Sequence, residues 1–460
     1  MVGRRSLLKV GAAGLTGWPW LDGWAQRVPA GQALLVGNTS YNPNDENLPP
    51  ALKCIADLEA RLKRFGFTSV ALHDPPIAQV QAELDKLQKA VAANPGTAGV
   101  FYFVGHGFQS NAENFLVPAG GDLNSAPQQL TKACLSLEKE VFTKLKRSAG
   151  PAATVIMVDA CRTPDRPRSP TEGYNQTMPP DGCHVVFATG PGKRAFAPND
   201  PQRYTLFAEA LVSELDVTDP SRSIFLTLET VRVKVARKVN SIAGIVKAFG
   251  PNAQEPEVAS NVTGDPKWIA VASAAPETGK PPADTPPVVV PTAQVNPAVA
   301  AELEATRGVA SPEEAINRLK ALIQKAPEGD QADIAQLRLK ALENVLAAAR
   351  SARLNLDIAA FAAGLPPRVA EDAQRALRGD KYAAMRVAET LPQPPAGELM
   401  ERSDRGRWMI FAAYLGNGIA AYRLSEHYRN VDRRDTEASR FLNLARANNY
   451  TPPRQLEQGR

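Results

Sequence analysis

Histidine and cysteine are scarce in this 460-residue chain, four of each, and no stretch beyond the N-terminus approaches 18 uninterrupted apolar residues. The missing apolar run leaves no candidate membrane span in the body of the chain. No two cysteines stand two to four residues apart, so nothing has the ligand spacing of a zinc site. The net charge is only +5, and no lysine- or arginine-rich segment comes with aromatics or a recognisable reader, so nothing marks a nucleic-acid partner. Composition is otherwise ordinary for a globular protein, 44% hydrophobic and 22% charged, and the length exceeds one compact core, which predicts two or three domains.

The N-terminus stands apart. Arg4-Arg5-Ser6-Leu7-Leu8-Lys9 precedes a weakly apolar, glycine-rich stretch to Trp20, and Ala25-Gln26 borders a candidate cleavage point. This resembles a twin-arginine export signal over residues 1–26, which implies a periplasmic or secreted mature chain carrying a net charge of +3. The other reading is a basic amphipathic helix that stays attached, against which stand Gly11, Gly14, Gly17 and Pro19, poor residues for a helix interior.

From Gln32 to about Ala272 short apolar runs alternate with helical periodicity. A strand Ala33–Val36 is followed by a helix from Ala51, with Leu52, Ile55, Leu58 and Leu62 on one face, and by a strand Ser69–Leu72. Ile77, Val80, Leu84, Leu87 and Val91 then repeat at helical spacing, and His184–Ala188 reads as a strand ahead of a helix over Tyr204–Leu215. Such alternation predicts a mainly parallel sheet with helices on both faces, an α/β domain over 32–272. Two further strands carry chemistry: Phe101-Tyr102-Phe103-Val104-Gly105-His106-Gly107, and Val155-Ile156-Met157-Val158-Asp159-Ala160-Cys161-Arg162. Each is an apolar run ending in a reactive side chain, and ligands gather at the carboxyl ends of parallel strands. His106 and Cys161 are thereby expected on one rim, where an imidazole and a thiol can form a nucleophilic dyad.

Elimination supports His106. His73 runs into a rigid Asp-Pro-Pro turn, His184 begins a strand rather than ending one, and His427 falls among C-terminal helices. Gly105 and Gly107 on either side of His106 are expected to supply unusual backbone angles and room for a substrate chain. With Cys161 reserved for chemistry, at most one disulfide remains among Cys54, Cys134 and Cys183, and the sequence does not choose it.

With a histidine between glycines and a cysteine ending the next core strand 55 residues on, the chain resembles the caspase and metacaspase peptidases, most closely the bacterial metacaspase or orthocaspase type of the C14 family. The resemblance covers about 240 residues. It implies a caspase-like fold and a cysteine endopeptidase with catalytic Cys161 and His106, whose oxyanion hole is formed by the amides of Gly107 and Cys161. It also implies that Asp159 joins Asp57, in the stretch Cys54-Ile55-Ala56-Asp57, to bind an arginine or lysine side chain. Two carboxylates in one pocket repel until a cation arrives, which favours cleavage after a basic residue.

There are departures. The cysteine motif reads Asp-Ala-Cys-Arg where caspases proper carry Gln-Ala-Cys, and Val104 stands where metacaspases usually have a serine lining the pocket. Calcium-activated relatives use an aspartate cluster. Asp165, Glu172, Asp181 and Asp122 are the carboxylates on offer, and they do not assemble into six to eight oxygen ligands, so no cofactor is required and calcium stays an alternative. Thr163–Gly182 is proline-rich and lies where relatives are cut into two subunits, which makes Arg166 and Arg168 candidate self-cleavage points.

A proline-rich linker is expected over 273–298, and an all-helical region over 299–460. Ser311-Pro312-Glu313-Glu314 supplies an N-cap, a first-turn proline and a capping-box glutamate. Two pieces, from Gly379-Asp380 and from Gly416-Asn417, resemble each other and Sel1-like or tetratricopeptide repeats, with a plain helical bundle as the equal alternative. The reading is thus a peptidase acting on protein or peptide substrates, whose helices recruit a partner. Its rivals are a catalytically silent caspase-like scaffold and, on Gly105-x-Gly107 alone, a nucleotide-binding sheet.

Overall fold

Short β-branched and aromatic runs form a sheet in the order β2-β1-β3-β6-β7-β8. The strands are β1 (Gly31–Gly37), β2 (Phe67–His73), β3 (Ala98–Ser110), β6 (Thr154–Cys161), β7 (Cys183–Phe187) and β8 (Glu257–Ser260). All neighbours pair in parallel except β7 with β8. The computed structural model describes residues 31–148, 152–161, 175–268, 296–309, 311–355 and 366–453. The expected export signal, Arg166, Arg168 and most of the expected linker lie outside the described residues.

Alternation along the strands divides the core. Leu35, Val100, Tyr102, Val155 and Met157 face α1 (Ala51–Arg64), α3 (Leu206–Val217) and α4 (Ile224–Ser241), where Ile55, Leu58, Leu211 and Val231 meet them. Their neighbours Leu34, Val36, Phe101, Phe103, Ile156 and Val158 face α2 (Ile77–Ala93) through Leu84 and Leu87. This period-2 division is what burial of a strand on both faces requires. A short helix α5 (Ala243–Phe249) leads towards β8.

β3 runs on for thirteen residues. Its first part lies in the parallel sheet. Beyond His106 it pairs antiparallel with β4 (Glu113–Leu116), which pairs with β5 (Leu135–Ser136). The two glycines beside His106 therefore lie in extended strand, with no positive φ at either. Gly105 is needed for space instead, because a Cβ there would lie 2.5 Å from the Tyr41 hydroxyl.

The C-terminal part is helical throughout its described residues: α6 (Pro297–Ala305), α7 (Pro312–Lys325), α8 (Asp330–Ala352), α9 (Pro367–Ala376), α10 (Lys381–Thr390), α11 (Asp404–Tyr414), α12 (Gly418–Asn430) and α13 (Asp435–Ala447). α6 begins at Pro297, capped by Asn296, so the helices start inside the tail of the expected linker. Ser311 caps α7 through the Glu314 amide, but the Glu314 carboxylate pairs with Arg318 rather than completing a capping box. The two similar pieces share a device. Gly379 and Gly416 both adopt φ near +95° (94° and 97°), and Asp380 and Asn417 then cap α10 and α12. A repeated cap of this kind is compatible with Sel1-like or tetratricopeptide repeats.

The helices dock on the sheet domain. Tyr382 of α10 enters the α2-side core, and its hydroxyl donates to Glu257 of β8 (2.9 Å). Glu229 of α4 accepts from Arg307 (2.7 Å) and Arg338 (2.6 Å). Burial alone would raise the pKa of Glu229, but the two guanidinium groups pull it down to about 2. No helix among the described residues is long and apolar enough to cross a membrane.

The Glu229 carboxylate is held ionised, so it adds stability that is present above the ordinary glutamate pKa of 4.5 and is lost as pH falls towards 2. Glu229→Gln is expected to cost about 1–2 kcal/mol at pH 7 for this half-buried cluster. In urea titrations the gap between wild type and variant should shrink from pH 7 to pH 3, and a constant gap would contradict the assignment.

Candidate active site

The register of β3 against β6 sets His106 opposite Cys161 and Val104 opposite Asp159, at the carboxyl ends of adjacent parallel strands. Cys161 is the last residue of β6, and the chain position expected for a nucleophile lies directly beside the expected base.

His106 is held from several directions. Its amide donates to the Tyr41 hydroxyl (3.0 Å), and the Tyr41 ring meets the imidazole edge-on with centroids 4.4 Å apart. Nε2 lies 2.7 Å from the backbone carbonyl of Glu46. A carbonyl can only accept, so this contact requires a proton on Nε2. Residue 46 lies in a short 3-10 turn (Asn44–Glu46) between β1 and α1. Its role is carried by a backbone oxygen, which leaves no side-chain signal in a sequence.

The other histidines are placed otherwise. His73 is exposed at the end of β2, and His427 lies 3.3 Å from Asp432 in the helical region. His184 is packed against Phe225 in a site where burial drives its pKa down to about 3. The cysteines sort in the same way. Cys54, Cys134 and Cys183 are buried free thiols, so none of the three is paired with another. Burial pushes Cys54 and Cys134 up to about 12 and Cys183 higher still, which keeps all three protonated and inert.

Asp159 is fully buried, on the sheet face that carries Met157 and meets α1 and α3. Its Oδ2 accepts from the hydroxyls of Tyr102 (2.9 Å) and Thr205 (2.5 Å), while Oδ1 has no partner among the described residues. Burial raises its pKa to about 6 against the opposing pull of those two bonds. Asp57 sits on α1 and accepts from Lys53 (2.7 Å) and from the hydroxyl of Tyr204 (2.6 Å), with Arg61 at 3.5 Å. Burial opposes its ionisation, yet the Lys53 and Tyr204 bonds hold its pKa below the usual carboxylate range. Consecutive residues Tyr204 and Thr205 therefore bind the two expected pocket carboxylates, a link that the sequence did not reveal. Val104 is an apolar core residue beside Asp159.

Of the carboxylates weighed for calcium, Asp122 caps its own turn through Asn124 and Ser125, and Asp181 binds Asn261 and Arg368. Asp165 and Glu172 lie outside the described residues. A cleft of about 980 Å³ lies away from His106, between the β7–β8 edge with α4 and helices α8 to α10. It is lined by matched ion pairs such as Arg375–Asp380.

The caspase-domain family model matches residues 30–265. Over 172 residues, 36% of this chain, the sequence is 25% identical to human mucosa-associated lymphoid tissue lymphoma translocation protein 1 and 26% identical to its mouse homologue. The match spans 19% of the length of these curated relatives. Among solved structures, caspase-1 from Spodoptera frugiperda is similar at 17% identity and a TM-score of 0.34, over 52% of this chain and 92% of the other.

A buried acid with a raised pKa favours folding while protonated and loses that advantage as pH rises through the folded value. Wild type should thus lose stability relative to Asp159→Asn between pH 3.8 and about 6, levelling off above, by about 3 kcal/mol at most. Urea midpoints of both proteins at pH 4 and pH 7 check this, and a difference independent of pH would show that Asp159 is not buried as described.

Proposed function

The chain belongs to the caspase-domain family, a family of cysteine peptidases, and from that premise we propose that it is an endopeptidase in which Cys161 is the nucleophile and His106 the proton carrier. The Cys161 thiolate attacks the scissile carbonyl carbon, and the amides of Gly107 and Cys161 receive the oxyanion. His106 delivers the thiol's proton to the leaving amine. Water, deprotonated by His106, then releases the acyl group and restores the thiol. The observation that carries this reading is the pairing of His106 with Cys161 in strand register. The burial of the other three thiols supports it.

On this reading Asp159 and Asp57 select arginine or lysine before the cleaved bond. The buried Oδ1 of Asp159, unpartnered among the described residues, favours a cationic side chain. Asp57 already holds Lys53, whose ammonium also lies 4.5 Å from the centre of the Tyr204 ring. Lys53 therefore competes with an incoming cation. Self-cleavage after Arg166 or Arg168, twin-arginine export, and recruitment of a protein partner by the helices belong to the same proposal, with calcium as an untried activator.

Peptides with arginine, lysine, aspartate or asparagine at P1 test the function directly. Wild type should cleave after arginine and lysine, and Cys161→Ala should lose at least about a thousandfold in kcat. Cleavage after another residue would discard the acidic pocket, and no cleavage by folded protein, with and without calcium, would favour a silent scaffold. Lys53→Ala should lower KM for arginine peptides about threefold, in line with loss of one exposed ion pair. An unchanged or raised KM would remove Asp57 from the pocket.

A further inference from the structure

The helical region reaches back to the histidine strand and to the segment that follows the cysteine strand. Past Cys161 the described chain resumes at Asn175, and its first residues are bonded on two sides. The Asn175 amide donates to Asn114 Oδ1 (2.7 Å), and its carbonyl accepts from Asn114 Nδ2 (3.2 Å). Asn114 lies on β4, where Glu138 holds both its backbone and its side chain. The Asn175 side chain turns the other way. Its Nδ2 donates to the carbonyl of Thr451 (2.9 Å), and its Oδ1 accepts from the amides of Thr451 (3.1 Å) and Gln176 (3.0 Å).

Gln176 completes the clamp. Nε2 donates to the carbonyls of Gly416 (3.0 Å) and Asn448 (2.9 Å), and Oε1 accepts from the amide of Gly418 (2.7 Å). Each of these is a backbone group at an end of α11, α12 or α13. Both side chains are buried, at 2% and 5% exposure, and Met178 packs against the helical core and the α2-side core together. On the histidine strand, Gln109 lies three residues beyond His106 and donates to the Thr451 hydroxyl (2.9 Å). Thr451 thus joins the continuation of the histidine strand to the segment that follows the cysteine strand.

Adhesion alone would need only an apolar contact. Two buried amides, bonded to helix-terminal backbone groups, specify one position, because a misplaced partner would leave buried donors and acceptors unmatched. We propose that the C-terminal helical region is a positioning element of the active site, with Asn175, Gln176 and Thr451 as its positioning residues. This goes beyond partner recruitment and rests on the peptidase reading for its catalytic consequence. Catalytic groups lose rate steeply when displaced by an ångström, so the clamp acts on kcat.

The test uses the full-length chain with Asn175→Ala, Gln176→Ala, Thr451→Ala and Thr451→Ser. Arg386→Ala is a control that breaks the buried Arg386–Asp372 pair inside the helical region, away from the clamp. Asn175→Ala and Gln176→Ala should each lower kcat about ten- to a hundredfold with little change in KM. Thr451→Ala should do so less, Thr451→Ser should restore the rate, and Arg386→Ala should lower thermal stability while keeping kcat at 25 °C. Hydrogen exchange should quicken at 107–116 and 175–178 in the clamp variants. Wild-type kcat in folded Asn175→Ala and Gln176→Ala, or an equal loss of kcat in Arg386→Ala, would overturn the inference. If wild type itself cleaves nothing, the peptidase reading fails alone, and exchange confined to the helices in the clamp variants would then overturn the coupling.

Discussion

Continuous parallel register between β3 and β6, from Gly99 opposite Thr154 to His106 opposite Cys161, is the constraint on which the rest of the molecule depends. A slip of one residue would exchange the two faces of β6 and turn Met157 and Asp159 towards α2. Burial on both faces resists that slip, since Val155 and Met157 belong to one core and Ile156 and Val158 to the other. The hydrophobic division of the sheet therefore also fixes the relation between the two residues on which the proposed chemistry rests.

Around that register the site combines groups that folding alone would not favour. Asp159 is a buried carboxyl group with one oxygen unmatched among the described residues, which costs stability at neutral pH. Tyr102 and Thr205 recover part of that cost. On the proposed reading, an incoming cation would recover more. Asp57 shows the opposite solution, its charge already matched by Lys53 and Arg61. A pocket built from both carboxylates would be half committed before substrate arrives.

Much of this was legible in the chain. The apolar runs ending at His106 and Cys161, the alternation of strand and helix, the N-cap at Ser311 and the likeness of the two Gly-Asp and Gly-Asn pieces all rest on local patterns. What escaped was carried by backbone atoms or by distant partners. The Glu46 carbonyl on His106, the Tyr204–Thr205 pair on the two carboxylates, and the Asn175–Gln176 clamp join residues 46 to 276 positions apart, with no periodicity to betray them. The glycines beside His106 were read for conformational freedom, whereas the chain there is extended and Gly105 makes room for Tyr41. The antiparallel β8 and the β4–β5 extension were missed because such short strands carry too little pattern.

The most direct test of the central claim is to treat the native protein with a peptidyl-arginine chloromethyl ketone and locate the label by peptide mass spectrometry. A single label on Cys161, lost in His106→Ala, is what a paired thiol and imidazole predict, since the other three thiols are buried and protonated. Labelling spread over Cys54, Cys134 or Cys183, or labelling of Cys161 at the same rate without His106, would contradict it.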